Sequence, residues 1–291
     1  MPELPEVETI ARGLAKRVTG DVIDSLWLGS KPEPLKSPAS EIVANVEHKR
    51  IAGVRRTGKH IVFDLEEVAG GSPKRRPGKK LAGQVADPPP RDPATAQWIV
   101  HLGMTGRMLV CEAEAEIAKH THAIAQLASG RQLRFVDPRR FGRLSVAHGF
   151  EAPGHEPLEV ELTRFVTLFR GRKTPIKSAL LNQKLLRGVG NIYADESLFR
   201  ARIRPRRSAA SLSKEDLRRL YLAVQAVLKE AIKLGGSSVS DYVGADGEEG
   251  FFQLRHRVYG REGEKCLVCK SPIKRIVIAG RSSHYCPKCQ K

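Results

Sequence analysis

Four of the five cysteines in this 291-residue chain fall in its last 26 residues, as Cys266-x2-Cys269 and Cys286-x2-Cys289. No other feature narrows the fold as much. Two thiols two residues apart form a knuckle that closes on one side of a metal ion, and 16 residues between two knuckles suit a β-hairpin that brings them together. The hairpin is read over Ile273–Ile278 and Ser283–Tyr285. Four thiolates complete a tetrahedral Zn2+ and leave no open position, so the spacing predicts one structural zinc held by Cys266, Cys269, Cys286 and Cys289. An odd cysteine total argues against a full disulfide framework, and Cys111, in an apolar run, reads as a core residue.

Upstream of the zinc module the hydrophobic period changes once. Val7, Ile10, Leu14 and Val18 recur at helical spacing, with Pro5 suited to the first turn. Short β-prone runs follow at Val22–Leu28, His60–Leu65, Trp98–Leu102, Arg107–Cys111, Gln132–Val136 and Arg143–Val146, as expected of an antiparallel sandwich. Residues 70–96 interrupt them with six prolines, four glycines and six Lys/Arg, a composition that cannot supply a core and reads as a mobile basic insertion. After Pro157 the pattern is helical. Thr174-Pro175 starts a helix through Leu181, Asn191 is read as the cap of a second, and Ser213 with Asp216 reads as a capping box for a longer one stopped by Gly235-Gly236. The fold expected is α+β and multidomain: a β-sandwich with flanking helices over 1–150, a helical domain over 151–250 and a zinc-binding hairpin over 251–291.

The excess of Lys and Arg gives a net charge of +18, which favours a polyanionic partner over a small neutral ligand. No run of about 18 apolar residues exists to span a bilayer, and the acidic N-terminus lacks a signal peptide's basic and apolar segments, so an intracellular protein is expected. Gly188-Val189-Gly190-Asn191 precedes a helix and offers backbone N–H groups to a phosphate. Pro2 follows the initiator Met, whose removal leaves a secondary amine. Attack of that amine on a sugar C1′ gives an iminium ion, an electron sink for elimination, and Glu3 beside it could move protons.

The opening Met1-Pro2-Glu3-Leu4-Pro5-Glu6 resembles the start of the formamidopyrimidine-DNA glycosylase (Fpg/Nei) family. So do His101-Leu102-Gly103-Met104-Thr105-Gly106, Asp137-Pro138-Arg139-Arg140-Phe141-Gly142, Gly188-Val189-Gly190-Asn191-Ile192-Tyr193 and the four-cysteine module, in family order. The insertion at 70–96 departs from that pattern. The resemblance implies a β-sandwich, a helix-two-turn-helix domain and a zinc finger. It also implies Pro2 as nucleophile, Glu3 as general acid, Lys59 in β-elimination and Arg281 in δ-elimination and phosphate grip. Met104, Arg139 and Phe141 match the wedge that fills the gap left by an extruded nucleotide. His120, Arg172, Lys177 and Asn191 match contacts to DNA, Arg172 replacing a lysine, and Val243–Phe252 resembles a loop that closes over the flipped base.

The activity implied is excision of oxidised purines such as 8-oxoguanine and formamidopyrimidines from damaged double-stranded DNA, through a Pro2 Schiff base with β,δ-elimination, in base-excision repair. A monomer in the bacterial cytoplasm, associated with the nucleoid through DNA, is expected. One alternative is an endonuclease VIII-like enzyme acting on oxidised pyrimidines, against which Leu4 counts because that branch typically has glycine there. The other is a non-catalytic zinc-ribbon protein that binds nucleic acid.

Overall fold

The computed structural model describes residues 1–68, 96–238 and 250–291. The insertion expected over 70–96 therefore lies outside the described residues except for Ala96, as does the part of the expected lesion loop from 243 to 249.

Two four-stranded antiparallel sheets form the first half. One has the order β1 (Ile23–Leu28), β6 (Thr121–Leu127), β7 (Arg131–Val136), β5 (Arg107–Glu112); the other runs β2 (Lys49–Thr57), β3 (His60–Glu67), β4 (Ala96–His101), β8 (Arg143–His148). Their inner faces share one core, with Phe63 and Trp98 from the second sheet and Met108, Leu133 and Phe135 from the first. Helices α1 (Leu4–Val18) and α2 (Ala39–Val46) add Val7, Ile10, Leu14, Ile42 and Val46 to that core. Each of the six β-prone runs lies on a strand. β2 and β6 carry weaker signals: β2 is rich in Lys and Arg and bulged between Ile51 and Gly53, and β6 is diluted by alanine. Cys111 corrects the sequence reading: on β5 it alternates away from buried Met108 and Val110 and is only half-buried.

The helical part comprises α3 (Leu162–Phe169), α4 (Ile176–Leu181), α5 (Asn191–Arg200) and α6 (Lys214–Lys233) around a second core. The Ser213 hydroxyl accepts from Asp216 N at 3.0 Å, and the Asp216 carboxylate accepts from Ser213 N at 3.2 Å, so the capping box forms. Gly235 and Gly236, both at positive φ, end α6. Asn191 does not cap α5. Gly190 occupies the cap and Asn191 is the first helical residue, its side chain turned to the finger.

The finger is a hairpin, β9 (Lys274–Ile278) and β10 (Arg281–Tyr285), joined by Ala279-Gly280 with both residues at positive φ, the geometry of a type I′ turn. β10 packs against α5. No helix among the described residues is long and apolar enough to cross a membrane.

Candidate active site

α1 begins in one core and ends in the other: Leu4 is buried with the helical domain, whereas Val7 and every later buried position of α1 on that face pack with the sandwich. The first residues are thereby held between the two halves, and Leu4 N donates to Gly188 O at 3.0 Å. Gly188 and Gly190 permit this approach. A Cβ on Gly188 would lie 2.8 Å from the Leu4 Cβ, and one on Gly190 would lie 2.2 Å from the Glu3 carboxyl carbon. The backbone N–H groups at the start of α5 serve an internal anion: Ile192 N donates to Glu3 Oε1 at 3.1 Å and Tyr193 N to Glu3 Oε2 at 3.4 Å. The phosphate site read from this glycine turn is therefore occupied by the protein's own carboxylate.

Pro2 and Glu3 line a cavity of about 590 Å3 with Lys59, Met104, Asn191 and Arg281, a volume within the roughly 300–1,000 Å3 range of ligand sites. Lys59 is presented by a two-residue hairpin between β2 and β3 in which Gly58 takes φ +60°, as a type II′ turn requires. Arg281 opens β10 and is exposed. Burial pushes the Glu3 carboxyl up to about 7, with Glu6 adding to the effect and Lys59 and the two N–H groups opposing it. Glu3 can hold a proton at neutral pH, as a general acid must. Burial lowers the Lys59 ammonium, Arg281 adds to this, and Glu3 and Glu6 counteract it. Here Pro2 carries Met1 ahead of it, so its nitrogen is an amide and not a secondary amine.

Glu6 was not singled out from the sequence, yet it is 1% exposed and central. Its carboxylate accepts from Glu3 N at 2.8 Å, from Ser237 N at 2.8 Å and from the Tyr193 hydroxyl. Burial raises its pKa against those hydrogen bonds. The signal was available, because an acid three residues after a helix-start residue is the capping-box spacing.

Lys177 is a correction. Expected at the DNA, it is 0% exposed, with Nζ 2.6 Å from Asp195 Oδ1 and 2.5 Å from Ser282 O. Asp195 Oδ2 also accepts from His284 N at 2.8 Å. The pair ties α4 and α5 to β10 beside Arg281, so Lys177 holds the finger and presents no charge outward. Asn191 Nδ2 adds a bond to Ser282 Oγ at 3.2 Å.

Met104 and Phe141 are 41% and 48% exposed, so neither is a core residue. The Arg139 guanidinium lies 4.8 Å over the Phe141 ring, a cation–π contact. His120 and Arg172 are exposed and do not line the cavity. The four cysteine sulfurs lie within 4.8 Å of one another, which fits a tetrahedral ion and puts a structural zinc at the base of the finger.

Residues 1–144 match the family profile described as "Formamidopyrimidine-DNA glycosylase N-terminal domain", residues 153–243 the "Formamidopyrimidine-DNA glycosylase H2TH domain", and residues 263–291 the "Zinc finger found in FPG and IleRS". The formamidopyrimidine-DNA glycosylase of Solibacter usitatus is 41% identical over 301 residues, covering 100% of each chain. This chain belongs to the formamidopyrimidine-DNA glycosylase family. Its backbone is similar to the crystal structure of the MutM (Fpg) protein of Thermus thermophilus, with a TM-score of 0.81 at 40% identity over 99% of this chain and 98% of that one. It is similar also to a Lactococcus lactis Fpg variant in complex with Fapy-dG-containing DNA, with a TM-score of 0.84 at 31% identity over 100% of both chains. The glycosylase family profiles thus cover the sandwich, the helical domain and the finger that surround the cavity.

Proposed function

We propose that this chain is a bifunctional DNA glycosylase and AP lyase that removes oxidised purines, 8-oxoguanine and formamidopyrimidines, from duplex DNA in base-excision repair. The observation that carries this reading is the placement of Pro2 beside a protonatable Glu3 in a cavity faced by Lys59 and Arg281. With Met1 removed, the Pro2 nitrogen attacks C1′ of the damaged nucleotide, the glycosidic bond breaks, and Glu3 supplies the proton that the departing base and opening sugar require. The iminium ion left on Pro2 is the electron sink: loss of a C2′ proton expels the 3′ phosphate, and a second elimination expels the 5′ phosphate. Lys59, its ammonium lowered by burial, serves β-elimination. Arg281, exposed at the tip of the finger, grips the phosphate beside the lesion and serves δ-elimination.

The base must leave the stack to reach this cavity. Met104, Arg139 and Phe141 enter the vacated space as plug, partner for the orphaned base and probe of the base step. His120, Arg172 and Asn191 contact the backbone. The chain works as a monomer of three units, 1–150, 151–250 and 251–291, on nucleoid DNA in the cytoplasm. Zinc is structural and takes no part in bond breaking.

Borohydride reduction of a reaction on duplex DNA tests the reading. A covalent adduct with 8-oxoguanine duplex, stronger than with an oxidised-pyrimidine duplex, is expected from protein shown by mass spectrometry to begin at Pro2. The reverse lesion preference supports the endonuclease VIII-like alternative. No adduct with any lesion supports a non-catalytic binder, and a normal adduct from protein retaining Met1 removes Pro2 as nucleophile.

A further inference from the structure

Asp137 is 0% exposed and lies outside the cavity, yet its hydrogen bonds reach every segment that carries a DNA-probing side chain of the sandwich. Its Oδ1 accepts from Thr105 Oγ1 at 2.5 Å and from Arg139 N at 3.3 Å. Its Oδ2 accepts from Gly142 N at 2.7 Å, and its own N–H donates to His120 O at 2.9 Å. Thr105 adjoins Met104, and Gly142 adjoins Phe141. The backbones of the two turns also approach closely, since a Cβ on Gly103 would lie 2.5 Å from both the Phe141 carbonyl carbon and Gly142 N. Met104 and Phe141, 41% and 48% exposed, lie on two separate turns and outside the sandwich core, so their relative placement depends on how those turns are anchored. A buried carboxylate accepting several hydrogen bonds supplies that anchor, because each donor would otherwise be left unsatisfied.

We propose that Asp137 is a positioning residue for base extrusion: its carboxylate locks the Met104 turn to the Arg139–Phe141 turn, so that the three side chains enter the base stack as one rigid unit. This rests on the wedge role given to those three residues above. An amide at Asp137 retains one acceptor oxygen but turns an NH2 toward a donor, which opens one side of the lock. Replacing Thr105 by valine removes only the bond to the Met104 turn.

The test is single-turnover excision of 8-oxoguanine from duplex, with melting and zinc content measured alongside. Asp137→Asn and Thr105→Val are each expected to slow excision at least tenfold, and Thr105→Ser, which keeps the hydroxyl, to restore it to within about twofold. Cleavage of a preformed abasic site in a single strand, where nothing need be extruded, should fall at least fivefold less than duplex excision. In a background with Met104, Arg139 and Phe141 all changed to alanine, Asp137→Asn should add less than about twofold, because a residue acting through the wedge loses its effect without it. Equal slowing by Asp137→Asn in both backgrounds overturns the proposal, as does no slowing by Thr105→Val. Wild-type excision by the triple-alanine protein shows instead that the wedge reading itself has failed. If Asp137→Asn does not fold, the threonine series carries the same comparison.

Discussion

Glu3 shows how one residue answers to two demands. The same burial that lets it keep a proton near pH 7 makes its ionised form a cost to the fold. Its folded pKa lies above the ordinary glutamate value of 4.5, so its favourable contribution is complete below that value and is lost as pH rises through about 7. Glu3→Gln is therefore expected to unfold at higher denaturant than wild type at pH 8, by up to about 3 kcal/mol, with the gap closing at pH 5. Base excision by the same variant should be nearly abolished, and cleavage of a preformed abasic site reduced far less. Equilibrium unfolding at the two pH values checks the first part, and parallel assays on the two substrates check the second. A residue that destabilises the protein where it works is the pattern of a functional site.

At the scale of elements, α5 is where the molecule's parts meet. Its N-terminus binds the Glu3 carboxylate, Asn191 and Asp195 hold β10, and Glu196 accepts from the backbone N–H groups of Arg257, Val258 and Tyr259 at 2.9 to 3.0 Å. The helix thus fixes Glu3 and Arg281 relative to one another. The hairpin that carries Arg281 has a small core of its own, with Val258, Cys266, Ile273 and Cys286 packed on Phe199, so metal binding supplies much of its folding free energy. Chelating zinc, or Cys269→Ser, is expected to disorder the finger and strip Arg281 from the cavity while the two larger cores persist. Far-UV circular dichroism should change little, amide exchange should rise in the finger, and affinity for damaged duplex should fall at least tenfold. Undiminished binding by protein shown to contain no zinc would contradict this.

For the whole molecule, a small network of charged side chains adds to the Leu4, Glu3 and Glu6 contacts that join sandwich and helical domain. Arg56, 7% exposed, bridges Glu8 of α1 at 2.7 Å and Glu156 of the connecting segment at 2.9 Å, and Arg187 of the helical part joins Glu151 at 2.9 Å. Arg56 lies on β2 only three residues before Lys59, so this ion network and the cavity share a hairpin. Burial pushes the Glu8 carboxyl up, but the Arg56 and Arg12 guanidiniums together hold it below its ordinary value. Arg56→Met leaves Glu8 with Arg12 alone and Glu156 with Arg187 alone, and should cost about 1–3 kcal/mol at pH 7. A depressed carboxyl stabilises above its unfolded pKa and loses that stabilisation as pH falls, so the deficit should shrink below about pH 4.5. Denaturant titrations of both proteins at pH 7 and pH 4 check the magnitude and the direction.

Local chemistry was legible from residue order alone. Thiol spacing implied the metal, Ser213 and Asp216 marked a helix start, and β-prone runs marked six of the eight strands of the sandwich. The motifs around Pro2, Met104, Phe141 and Asn191 pointed to the family. These signals are short-range: each depends on residues a few positions apart whose geometry the backbone itself dictates. Which donor meets which acceptor across the chain was decided by packing. Glu3 meets Ile192 across 189 residues, Lys177 meets Ser282 across 105, and Asp137 meets Thr105 across 32. A sequence shows that Lys177 carries a charge but not that the charge is buried, because burial depends on what two cores place over it. Likewise a glycine turn ahead of a helix advertises an anion site, and only the tertiary fold, by bringing Leu4 into the second core, made the anion Glu3.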